Sequence, residues 1–97
     1  MENQQAVWIN NPKKAWAWAM EWVEEAKTGS HAPIRRIHEA ATKFRDRFYT
    51  DGFWSAGAEL VYNMLIEAAG MAQYEYDQYK HELHIKISSA SSGEKNE

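Results

Sequence analysis

Only two residues of this 97-residue chain are prolines, and each stands where an α-helix can begin but not continue. Proline fixes φ and lacks an N–H, so it fits a first helical turn and breaks a helix interior. Asn11-Pro12 therefore reads as an N-cap and first helical residue, opening a helix from Pro12 to about Lys27, with Gly29 suited to a left-handed end. Pro33 opens a second helix, to about Tyr49. Thr50-Asp51-Gly52 is a turn signal, and a third helix begins near Phe53 and continues to about His81. Gly70 lies inside that third stretch, where glycine costs about 1 kcal/mol against alanine. The expected fold is mainly α: a small domain of three helices, or of four if the chain breaks at Gly70.

Apolar spacing refines each element. Placed at helical steps, Trp16, Ala19, Met20, Val23 and Ala26 share one side of helix one, and Ala15, Trp18 and Trp22 widen that side. The arc reaches about 200°, twice the stripe of an ordinary surface helix. Helix two has a narrow stripe of Ile34, Ile37, Ala41, Phe44 and Phe48, spaced 3, 4, 3, 4. Helix three aligns Gly57, Val61, Leu65, Ala68 and Ala72, with Trp54, Leu60 and Met64 beside them. Leu83, Ile85 and Ile87 then alternate with Glu82, His84 and Lys86, a period of two that suits a strand. The run Ala6–Ile9 is a partner for it, so a short strand pair joining the two termini stands beside continued helix as a reading of residues 82–87. Residues 1–87 form one helical domain in this reading, and 88–97, rich in Ser, Gly and charge, form a disordered polar tail.

Composition narrows the function classes. A chain this short buries only about 60–65% of its unfolded surface, so it needs efficient core material or a partner. With no cysteine, disulfides, thiolate metal sites and cysteine nucleophiles are all excluded. No membrane span and no signal peptide is expected, and the cytoplasm is the default compartment. Five Trp, five Tyr and three Phe make 13% of the chain aromatic, a surplus that suits both a small core and an interface. The net charge is −3, yet helix two carries five basic and two acidic side chains.

Four constellations are candidate sites. Asp77, His81 and His84 share a helical face at a spacing able to hold a divalent ion, but a solvated polar surface near a helix end is the favoured reading, and no metal or cofactor is expected. Glu21 and Glu24 resemble half of a paired acidic magnesium site, but the second half reads Lys43…Asp46, and a lysine repels the ion. Arg36, Lys43 and Arg47, with Arg35 to one side, form a basic face able to track phosphates or meet an acidic protein. Trp18 and Trp22 lie at the edge of helix one, and Tyr74, Tyr76 and Tyr79 cluster among carboxylates, as anchors of a protein interface do. No Ser–His–Asp elbow, phosphate loop or dinucleotide fingerprint occurs.

The general look is similar to small phage and mobile-element proteins that bind and inhibit or redirect a host complex, a likeness of style without residue-level transfer. The expected function is therefore a non-enzymatic protein–protein interaction module, a small adaptor or inhibitor, with Trp18, Trp22, Tyr74, Tyr76 and Tyr79 as anchors. Self-association into a homodimer fits the over-wide apolar arc of helix one. The alternative is a nucleic-acid-binding accessory protein using the basic face of helix two.

Overall fold

A computed structural model describes the backbone of residues 4–95 and the side chains of residues 7–88. Its order is α1 (Gln4–Asn10), α2 (Pro12–Ala26), α3 (Ala32–Phe48), β1 (Tyr49–Thr50), β2 (Phe53–Trp54) and α4 (Ala58–Lys95). The fold is mainly α, with four helices and one two-stranded antiparallel sheet among the described residues.

Both prolines do what their chemistry dictates, opening α2 and the first turn of α3. Asn11 before Pro12 is pushed to φ −145°, ψ 78°, so the chain turns a corner there and folds α1 back onto the bundle. The backbone N–H of Asn11 donates to the carbonyls of Val7 and Trp8, closing α1. At the other end of α2, Gly29 takes φ 91° and releases the chain into α3.

The fourth helix is α1, not a fragment split off at Gly70. Nothing lies within 4 Å of the place a Cβ would occupy on Gly70, and α4 runs through it unbroken. The terminal strand pair does not form either. Ala6–Ile9 belongs to α1, and residues 82–87 continue α4. The period-two pattern there misled because the apolar residues Leu83 and Ile87 are also one helical turn apart. The third helix starts later than expected, at Ala58, and ends later than His81. Where the sequence predicts a disordered polar tail over residues 88–97, the backbone of α4 continues to Lys95, while the side chains of residues 89–97 lie outside the described residues.

Between α3 and α4 the chain makes a hairpin instead of a simple turn. Asp51 and Gly52 adopt φ 55° and 83°, the two positive values of a type I′ connection, which matches the twist of paired strands. Tyr49 pairs with Trp54 and Thr50 with Phe53, and the N–H of Ser55 donates to the carbonyl of Phe48.

The core is built from small residues on two helices and larger ones on the third. On α2, Ala15, Ala19, Val23 and Ala26 are buried, and on α4 Ala58, Val61, Leu65, Ala68, Ala69 and Ala72. Alanine-rich faces of this kind let helices approach closely. Opposite them α3 supplies Ile34, Ile37, Ala41 and Phe44. Trp8 of α1 closes the group and is 2% exposed.

Candidate protein-interaction surface

The aromatic surplus is organised in two connected series. In the first, Trp22 meets Trp18 at 6.2 Å between ring centroids, Trp18 meets Trp8 at 5.2 Å, Trp8 meets Phe44 at 6.4 Å, and Phe44 meets Phe48 at 4.7 Å. This series ties α2 to α3 through α1. In the second, Trp54 lies 4.9 Å from Tyr49 and 5.0 Å from Tyr62, fastening the hairpin to the start of α4. Trp16, Trp18 and Trp22 are half-buried and packed on the core. The wide apolar arc of α2 is thus divided among α4, α3 and α1, with Trp8 of α1 meeting Trp18 at its edge.

The late tyrosines lie elsewhere. With 38 residues α4 is about 57 Å long, whereas α2 and α3, with 15 and 17, reach about 22 and 25 Å. Its second half therefore runs past the bundle. Tyr76 is half-buried, its ring edge-on to His31 at 5.0 Å, with the Lys80 ammonium 5.5 Å from the same ring. Tyr79 lies over Gly29 in the α2–α3 connection. From Asp77 to Ser88 every side chain is exposed.

The free half repeats the pattern of the buried half. Val61, Leu65, Ala68 and Ala72 recur eleven positions on as Ala72, Tyr76, Tyr79 and Leu83, with Ile87 following Tyr76 by the same interval. Eleven residues make about three helical turns, so the core-facing stripe continues on one side of α4 beyond its partners. Leu83 and Ile87 are exposed there.

The remaining candidates are dispersed. Arg35, Arg36, Lys43 and Arg47 are all exposed on α3. None of the four is ion-paired among the described residues, although the Arg47 guanidinium sits 5.4 Å from the Phe48 ring. Arg35 and Lys43 flank an open depression of about 280 Å³ with His38, Glu39 and Thr42. On α4, Asp77 accepts a hydrogen bond from Gln73 Nε2 at 3.0 Å, and among the described residues no three ligand-type side chains converge around Asp77, His81 and His84 or elsewhere. Tyr79, Glu82, Leu83 and Lys86 border a crevice of about 90 Å³, well below the volume of a small-molecule pocket. The pKa of Lys27 is raised by its hydrogen bond to Glu24 and the charge of that carboxylate.

No protein-family model, curated protein or solved structure matches the chain. Among the described residues, no helix is long and apolar enough to cross a membrane.

Proposed function

We propose that the chain is a non-enzymatic protein–protein interaction module, a small adaptor or inhibitor that works by occupying a surface of a larger partner. The observation that carries this reading is the overhang of α4: past Tyr76 and Tyr79, which pack on the α2–α3 connection, the core-facing stripe continues through Leu83 and Ile87, both exposed among the described residues. An amphipathic helix presenting apolar side chains at such intervals is the form that binds in a hydrophobic groove. Tyr76 and Tyr79, seated on the α2–α3 connection, fix where the overhang begins. Tyr74 lies on another side of α4 and is 60% exposed. Trp18 and Trp22 keep a partly exposed edge beside α1 and form a secondary anchor.

Co-purification from native cells tests the reading, comparing the natural chain with Leu83→Glu. A protein recovered stoichiometrically with the natural chain and lost with the variant supports it. A partner retained by Leu83→Glu places binding elsewhere, and no stoichiometric partner removes the reading. Fluorescence quenching examines the secondary anchor: tryptophans uniformly shielded from acrylamide in a monomer leave no part for Trp18 and Trp22.

A second reading is favoured by the basic face. Arg35, Arg36, Lys43 and Arg47 are exposed and unpaired among the described residues, as side chains that contact phosphates must be. Such binding weakens steeply with salt because condensed counterions are released. Titration with nucleic acid at two salt concentrations decides it, and absent or salt-insensitive binding ends it.

A further inference from the structure

The side of α4 turned away from the bundle carries a second periodic pattern. Leu60, Met64, Glu67, Met71, Tyr74, Gln78, His81 and Ile85 follow one another at intervals of 4, 3, 4, 3, 4, 3 and 4. That is an unbroken heptad spacing over about 38 Å of helix. Leu60, Met71, Tyr74 and Ile85 are large apolar side chains left exposed at 56%, 38%, 60% and 48%, while Met64 is half-buried and the three polar members are exposed.

We infer that this face is the interface of a homodimer in which two α4 helices pack antiparallel, a proposal that goes beyond the helix-in-groove reading and uses the opposite side of the helix. The occupant follows from self-complementarity. With Met71 opposite the partner's Tyr74, Leu60 falls opposite the partner's Ile85, Met64 opposite the partner's His81, and Glu67 opposite the partner's Gln78. Apolar meets apolar at the two ends and the centre, thioether meets aromatic ring, and the one carboxylate meets an amide able to donate to it.

Other arrangements lose this match. Parallel pairing sets each position against itself and brings Glu67 against a second Glu67, two like charges in a seam. Sliding the antiparallel pair by one heptad sets Leu60 against Gln78 or Glu67 against Ile85. In the matched register the flanking carboxylates Glu75 and Glu82 do not fall opposite one another.

Dimerisation also accounts for the overhang. A helix segment of this length without tertiary contacts is marginal in water. The antiparallel register lays the free half of each α4 along the bundle-supported half of the other, so each chain supplies the packing that the other lacks.

Sedimentation equilibrium of the whole chain over about 1–100 μM provides the test. A dimer is expected for the natural chain. Met71→Glu with Tyr74→Glu, both exposed in the single chain, should raise the dissociation constant at least about a hundredfold, since two carboxylates per chain would be set in the seam. Leu83→Glu, on the other side of α4, should leave the mass unchanged, which separates this interface from the groove-binding stripe. Because the chain has no cysteine, Leu60→Cys with Ile85→Cys should oxidise to a covalent dimer in the antiparallel register, and neither single variant should. A monomer throughout the range, a dimer that survives the double glutamate, a single-cysteine variant that cross-links, or a double one that does not would overturn the proposal.

Discussion

The ring of Tyr79 lies so close over Gly29 that a Cβ built on the glycine would sit 2.5 Å from Cε1. The same glycine holds φ 91°, which an L side chain resists. One residue thus both ends α2 and seats the first residue of the α4 overhang.

Gly29→Ala should accordingly lower stability by about 1–2 kcal/mol, through the left-handed backbone alone. For a domain of this size that is a fall in Tm of roughly 4–8 °C per kcal/mol. Thermal unfolding followed by helicity reads it directly, and an unchanged midpoint would show that the tyrosine and loop relax without cost.

Trp8 should separate packing from hydrogen bonding. Its ring joins Trp18 to Phe44, but its buried indole N–H has no acceptor among the described residues. Trp8→Ala should cost about 3–5 kcal/mol by emptying the space between α1 and the bundle. Trp8→Phe keeps most of the apolar ring and deletes the orphan donor, so its cost should be smaller by at least about 1 kcal/mol. Urea unfolding of the two variants decides this, and equal losses would mean the N–H is satisfied in solution.

Gly70→Ala should stabilise. The position is an exposed helix interior with open space around the added methyl, so the gain is up to about 1 kcal/mol. A lower Tm would reveal that α4 bends or breaks there.

Exhaustive dialysis against a chelator should change neither helicity nor Tm. Asp77, His81 and His84 are exposed, and Asp77 is engaged by Gln73. A drop that zinc restores would reinstate them as ligands.

How far the sequence could be read depended on how local each determinant is. Pro12, Pro33 and Gly29 act through their own backbone, and the helix boundaries they set are those observed within a residue or two. The stripe of Ile34, Ile37, Ala41 and Phe44 was equally legible, because one face of one helix suffices to show it. Trp8 was not, since Val7-Trp8-Ile9 suits a strand until the neighbouring rings of Trp18 and Phe44 are known. The hairpin did leave a local trace: Asp51-Gly52 stands between Tyr-Thr and Phe-Trp, good strand formers around a type I′ pair. In the candidate surface, the sequence grouped Tyr74, Tyr76 and Tyr79 together, whereas helix geometry sends Tyr74 to one side of α4 and Tyr76 and Tyr79 to another. Only knowledge of where the shorter helices end could show that their partner outruns them.

Because α4 passes Gly70 without a break, it serves as a ruler. The hairpin with the 77% exposed Phe53 stands beside its start, and Ile87 lies about 44 Å along the axis from Ala58. Anything gripping the chain at both places meets a separation fixed by residue count. Inserting seven residues in the overhang would lengthen that gauge by about 10 Å with little change of bearing, whereas four would add about 6 Å and swing the far end by roughly 40°.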